Sequence, residues 1–212
     1  MTPAEQSRQA LEICRRAAVV PVLVIEDLAH ARPLAEALVA GGLPALEVTL
    51  RTPVALDAIR IMAEVEGGIV GAGTLLTPAD VAAARAAGAR FGVSPGASNL
   101  LLDACEAEGL PLLPGAATAT EVMALLERGY TMQKFFPAET SGGAPAVKAL
   151  GGPLPQVSFC PTGGIGLGNA ATYLGLANVI CVGGSWVAPK AMMEAGDWAG
   201  ITRLAEEAAA LR

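Results

Sequence analysis

The chain has 212 residues, 53% of them hydrophobic and 16% charged, and carries a formal net charge of −6 at pH 7. That length can hold one large core. The acidic balance, without any basic stretch to set against phosphates, disfavours nucleic-acid binding. The apolar run 17–25 is too short to span a bilayer, and the polar, helix-patterned N-terminus lacks the charged-then-apolar order of a signal peptide. A cytoplasmic protein that does not bind membranes is expected.

Short apolar runs alternate with helical patterns along the whole chain. After an N-terminal helix, VVPVLVI (19–25) reads as a strand, and 31–40 as a helix with Pro33 in its first turn and Gly41-Gly42 beyond its end. ALEVTLRT (45–52) is the second strand, followed by a helix over 53–64. IVGAGT (69–74) precedes a helix opened by Pro78 and closed at Gly88. RFGVSP (90–95) precedes a helix over 98–108, and PLLPGA (111–116) one over 119–128. TMQKFFP (131–137) is the sixth strand, with a short helix near 144–150. QVSFCPT (156–162) is followed by a helix near 168–174, and VICVGGS (179–185) by a terminal helix over 197–211.

Eight strands, each followed by a helix and uninterrupted by a linker, predict a parallel sheet covered by helices. At this length the expectation is a single (β/α)8 barrel domain over 1–212, with an open doubly wound sheet as the alternative.

Strand parity then becomes informative. Side chains alternate between the two faces of a strand. In ALEVTLRT, Leu46, Val48 and Leu50 share one face while Glu47, Thr49 and Arg51 share the other. In a barrel the second face points inward, and Arg51 falls at the C-terminal end, where barrel enzymes carry their chemistry. The chain has three lysines, and Lys134 stands mid-strand in TMQKFFP on the same face as Met132 and Phe136. Lys148, in a short helix, and Lys190, in a loop after the eighth strand, fit solvated positions. A structural ion pair between Lys134 and Glu47 accounts for both buried charges. The functional alternative is a nucleophilic amine, freed by desolvation and a neighbouring cation. Arg51 is suited to supply that cation and to grip a carboxylate, and Glu47 to carry protons. Together these residues describe a Schiff-base site for a 2-oxo acid.

The seventh and eighth strands end in CPTGGIG (160–166) and VGGSW (182–186). Paired glycines bring backbone N–H groups close to an anion, and phosphate often binds in these two loops of a barrel. Other signals carry less. GIGLGNAA fits G-x-G-x-x-A, but no acidic residue follows about twenty positions on. His30, the only histidine, suits a surface or capping role at a helix start. Four scattered cysteines (Cys14, Cys105, Cys160, Cys181) fit reduced core packing, and no metal site is legible. Trp186, Trp198 and Met192-Met193 read as packing.

The motifs LEVTLRT, VGAGT, SPG, KFFPAE, CPTGGI and GGSW, in this order and spacing, resemble the bacterial 2-keto-3-deoxy-6-phosphogluconate aldolases, a family that includes 4-hydroxy-2-oxoglutarate aldolase activity. The likeness runs from about Val19 to Trp198. It implies a class I aldolase on a (β/α)8 barrel, without cofactor or metal, acting on a 2-oxo sugar acid phosphate as a homotrimer. Carried onto this chain, Lys134 is the Schiff-base lysine, Glu47 the proton shuttle, and Arg51 the partner of the substrate carboxylate. Thr74 and Thr162 contact substrate, Pro95 and Phe136 line the pocket, and Gly163, Gly164, Gly184 and Ser185 form the phosphate end. Gln133, beside the lysine, points away from the interior by parity. Two other readings of the same residues are a phosphate-binding barrel isomerase or synthase, and a non-catalytic sugar-phosphate sensor.

Overall fold

The structure is a computed structural model that describes residues 1–211. It is an α/β fold of parallel strands with helices packed outside them. The chain opens with α1 (Pro3–Cys14), whose first turn is held by a reciprocal capping box between Thr2 and Glu5. Then come β1 (Val19–Leu23), a 3₁₀ turn (Leu28–His30), α2 (Ala31–Ala40), β2 (Ala45–Thr49), α3 (Ala55–Met62), β3 (Ile69–Gly73), α4 (Pro78–Ala86), β4 (Phe91–Val93) and α5 (Asn99–Glu108). The second half runs β5 (Leu112–Leu113), β6 (Gly115–Ala116), α6 (Ala119–Arg128), β7 (Met132–Phe135), α7 (Gly143–Gly151), β8 (Ser158–Pro161), α8 (Ala170–Leu174), β9 (Val182–Gly184), α9 (Lys190–Ala195) and α10 (Trp198–Ala209).

Six strands form one parallel sheet in the order β5-β4-β3-β2-β1-β9, curled into a half-barrel. A second parallel sheet has the order β6-β7-β8. Two isolated parallel bridges, Phe159 with Val179 and Thr162 with Gly183, lie between β8 and the segment that carries β9. The fifth predicted strand is divided at Pro114. Proline has no N–H for the ladder, so Leu112–Leu113 pair with β4 and Gly115–Ala116 with β7, while the Pro114 carbonyl still accepts from Lys134 N at 2.8 Å. The sixth, seventh and eighth strands are shorter than their apolar runs. Val179, for instance, is held by a single bridge rather than a ladder. Lys190 is not in a loop. It is the first residue of α9, a helix the sequence reading missed, and its ammonium pairs with Glu26 at 2.5 Å and with Glu194 at 3.9 Å, one helical turn on.

Parity holds in β2. Leu46 and Val48 join the large apolar layer between strands and helices, together with Leu34, Leu38 and Ile59. Ala45, on the opposite face, belongs to a second cluster inside the curl with Val20, Phe91, Val93 and Met132. Helix α1 closes that cluster with Ala10 and Cys14. Ser7 anchors α1: its hydroxyl accepts from the backbone N–H of both Thr131 and Met132 at 2.9 Å, so the start of β7 has no orphaned donor. All four cysteines are free and buried, as expected. Among the described residues no helix is long and apolar enough to cross a membrane, and no cluster of His, Cys, Asp and Glu has the arrangement to hold a metal ion.

Candidate active site

Inside the curl, above the cluster closed by α1, two ionisable side chains meet. Glu47 reaches in from β2 and Lys134 from β7, with Lys134 Nζ 3.6 Å from Glu47 Oε1 and both side chains almost fully buried, at 7% and 4% exposure. The separation is that of an ion pair without a close hydrogen bond. Burial drives the Glu47 carboxyl above its ordinary range. The Lys134 ammonium opposes that shift, the charge of Cys160 adds to it, and Arg51 opposes it weakly. Lys134 Nζ also lies 5.0 Å from the centre of the Phe136 ring, within cation–π range.

Small residues on the neighbouring strands make room for these groups. The carboxylate of Glu47 lies over Gly73, where a Cβ would fall 2.3 Å from Oε1. One residue on, Thr74 has φ of +62°, a left-handed conformation that is strained for a β-branched side chain. It turns the hydroxyl towards Arg51, whose Nε donates to Thr74 Oγ1 at 3.4 Å. Strand β2 ends at Thr49, so Arg51 lies in the turn beyond it and is exposed at the mouth rather than enclosed by the strands. Gln133 faces outward, as its parity predicts: its Nε2 donates to the carbonyls of Val122 and Tyr130.

Just past β8, Thr162 is buried, with its backbone tied to Phe135 and Ala138 of the neighbouring segment. Gly163 and Gly164 follow with φ of +103° and +77°, two successive left-handed residues that only glycine adopts without cost. That turn bends the backbone over Phe136 and Glu139. The dinucleotide-like GIGLGNAA stretch folds back on itself, for Asn169 accepts from Gly166 N and donates to Gly164 O. At the end of β9, Gly184 is buried and Ser185 exposed. Beside Ser185 a cavity of 470 Å³ opens, lined by Val22, Ile25, Pro189 and Lys190 among others. Val22 is the β1 register partner of Glu47, so this cavity adjoins the strand that carries the carboxylate. Pro95, half-buried, follows β4. His30 packs edge-on against Trp198, 5.7 Å between ring centres, in keeping with a structural role.

The structure thus brings Lys134, Glu47, Phe136 and Thr162 together and sets Arg51 against Thr74 at the rim. Sequence reasoning missed Gly73, though it carried a legible signal: a glycine at the C-terminal end of an apolar strand.

A buried lysine beside a carboxylate, inside parallel strands and below glycine-rich turns, is the arrangement that a lyase working through an imine on an active-site amine requires. The KDPG and KHG aldolase family model matches residues 11–204, and the chain belongs to that family. Among its relatives, the 2-dehydro-3-deoxy-phosphogluconate aldolase of Pseudoalteromonas atlantica is 55% identical over 193 residues, 91% of this chain and 90% of that protein. The crystal structure of the 2-keto-3-deoxy-6-phosphogluconate aldolase of Zymomonas mobilis ZM4 with 3-phosphoglycerate superposes with a TM-score of 0.92 at 51% identity, covering 97% of each chain. A KDPG aldolase structure from Legionella pneumophila, with pyruvate captured as a covalent carbinolamine, superposes with a TM-score of 0.91 at 46% identity, covering 94% of this chain and 97% of that one.

Proposed function

We propose that the protein is a class I aldolase that cleaves 2-keto-3-deoxy-6-phosphogluconate to pyruvate and glyceraldehyde 3-phosphate. The observation that carries this reading is the buried pair of Lys134 and Glu47, 3.6 Å apart inside the strands. Lys134 is the nucleophile. Glu47 takes the proton that frees its lone pair, and the amine adds to the C2 ketone to form a carbinolamine. Glu47 returns a proton to the departing hydroxyl, and loss of water leaves an iminium ion. The iminium draws electrons from the C3–C4 bond while Glu47 takes the C4 hydroxyl proton. The bond breaks, releasing glyceraldehyde 3-phosphate and leaving an enamine. Protonation at C3 and hydrolysis then release pyruvate and restore the amine. The same iminium suits 4-hydroxy-2-oxoglutarate, whose cleavage gives pyruvate and glyoxylate.

Arg51, held by Thr74, receives the substrate carboxylate at the rim. Thr162, Pro95 and Phe136 confine the chain of the substrate, and Gly163, Gly164, Gly184 and Ser185 take the phosphate. Consecutive left-handed glycines at 163 and 164, a backbone arrangement that can turn N–H groups towards an anion, support the phosphate end. Binding there, away from the reacting bond, orients the substrate over Lys134.

The two sheets are read as one (β/α)8 barrel in a single domain, with β5 and β6 as halves of one strand. The bridges at Phe159–Val179 and Thr162–Gly183 support closure between β8 and β9. Four free thiols support a reducing, cytoplasmic setting. A homotrimer is the proposed assembly. The exposed apolar side chains of Leu76, Leu100, Met123 and Leu167, at 49–71% exposure, are suited to contacts between copies, and light scattering on the eluting protein reads the mass directly.

Borohydride reduction in the presence of pyruvate tests the chemistry. An irreversible adduct mapped to Lys134 by mass spectrometry is expected. An adduct elsewhere, or none, would overturn the imine.

A further inference from the structure

Three of the four cysteines are drawn from distant parts of the chain to one place. Cys14 ends α1, Cys160 is in β8, and Cys181 immediately precedes β9. All three are buried, at 3%, 1% and 0% exposure, in the cluster that forms the floor of the site. All three side chains pack in that one cluster, together with Val20, Phe91 and Met132. The proposed reaction uses none of them.

Cys160 has the most informative surroundings. In the parallel pairing of β7 and β8 it is the register partner of Lys134. Laterally paired residues of parallel strands share a face, so its side chain stands next to that of Lys134. Its Sγ lies 3.9 Å from Thr162 Oγ1, within hydrogen-bond range for sulfur. Thr162 in turn fills the space over Gly183, where a Cβ would fall 2.3 Å from its hydroxyl. The groups around Cys160 are therefore Cys14 from α1, Cys181 from the β9 segment, Lys134 from β7 and Thr162 just past the end of its own strand, with Glu47 across the interior from β2.

We propose that Cys160 is a positioning residue for the aldol site: a sulfur buried in one cluster with Cys14 and Cys181 that holds the Thr162 hydroxyl and stands beside Lys134 on the neighbouring strand. The inference rests on the Schiff-base reading of Lys134. Two consequences are separable. The contact to Thr162 is geometric, and a hydroxyl in place of the thiol can keep it. The charge is not replaceable in that way. Hydrogen bonding with Cys14 and then Cys181, opposed by burial and aided by the Lys134 ammonium, holds the Cys160 thiol well below its ordinary range, and negative charge there raises Glu47 further. Removing the thiol lowers Glu47, so the pH at which Glu47 loses its proton falls.

The test compares wild type, Cys160→Ala and Cys160→Ser in pyruvate trapping and in the pH dependence of kcat/KM. Absence of an adduct in wild type would sink the Schiff-base reading itself, independently of Cys160. With trapping intact in all three, both variants should shift the acid limb of the profile to lower pH by about half to one unit, as loss of a nearby charge does. Cys160→Ala should also lose about tenfold in kcat, with Cys160→Ser restoring most of it. An acid limb that stays in place in both trapping-competent variants would reduce Cys160 to passive packing. If neither variant folds, Cys181→Ala removes a supporting thiol without touching β8. A smaller shift in the same direction would support the proposal, and an unmoved limb would overturn it.

Discussion

Glu47 lies over Gly73 on the neighbouring strand, close enough that a single added carbon at position 73 would sit 2.3 Å from the carboxylate oxygen and 2.6 Å from its Cγ. The proton carrier of the proposed reaction is thus positioned by the absence of a side chain next door. Real Cβ atoms do not approach so closely, so any substitution at Gly73 must push the carboxylate aside. Gly73 itself is a strand residue, and its backbone does not require the left-handed region.

Gly73→Ala should therefore act on catalysis. A displacement of roughly 1 Å at a reacting group costs about 10²-fold in rate, whereas the crowding costs about 1–3 kcal/mol of stability. Turnover and thermal unfolding measured on the same preparation separate the two. Near-normal kcat in a folded Gly73→Ala protein would show that Glu47 does not need its present position.

Lys134→Met keeps an unbranched apolar stem in the same space and removes the amine. kcat should fall by at least about 10³-fold while the circular dichroism spectrum stays native, because the imine has no other nitrogen to form on. Appreciable residual cleavage would argue against covalent catalysis at this residue.

Ser185→Ala probes the phosphate end. A hydrogen bond to a charged group contributes about 1.5–3 kcal/mol, so KM for the phosphorylated substrate should rise about ten- to hundredfold. An unphosphorylated analogue should be affected far less. Equal losses on both substrates would take Ser185 out of the phosphate site.

The pH dependence of stability follows from Glu47. Its carboxyl is raised in the folded protein above the ordinary value of 4.5, chiefly by burial. The folded state thus binds this proton more tightly than the unfolded chain. Below pH 4.5 both states hold the proton and the site costs nothing. As pH rises through the folded-state value, ionised Glu47 destabilises the fold. Glu47→Gln, which cannot ionise, should unfold at nearly the wild-type temperature near pH 4 and at a higher one near pH 7, with turnover largely lost. A wild-type protein that is the more stable of the two at pH 7 would mean that attraction to Lys134 outweighs desolvation.

Ser7→Ala reports on the anchor of α1 at the start of β7. It leaves the N–H groups of Thr131 and Met132 without their partner, at a cost of about 1–3 kcal/mol for each group that water does not reach. The unfolding midpoint in urea should fall while kcat is unchanged.

Much of this architecture could be read along the chain. The alternation of apolar runs with capped helices marked the strands and most of the helices, and α2 and α6 end where Gly41 and Gly129 suggest. Parity put Glu47 and Lys134 on inward faces, and both are there. Parity did not see that β2 stops at Thr49, which leaves Arg51 in a turn and exposed. It also did not anticipate the break at Pro114, where the missing N–H divides one strand between two sheets. Helix α9 is six residues long and follows a proline, too short for its periodicity to register.

The sequence by itself determined the order of strands and helices, the face on which each strand residue projects, and the motifs that mark the family, because all of these repeat locally with the backbone period. Only the tertiary structure decided that Glu47 rests over Gly73, that Thr74 adopts a left-handed backbone, and that Cys14, Cys160 and Cys181 are gathered in one buried cluster. Those relationships join segments far apart in the chain. They depend on strand register and curvature summed around the sheets, and on how much water that closure excludes, which no local pattern encodes.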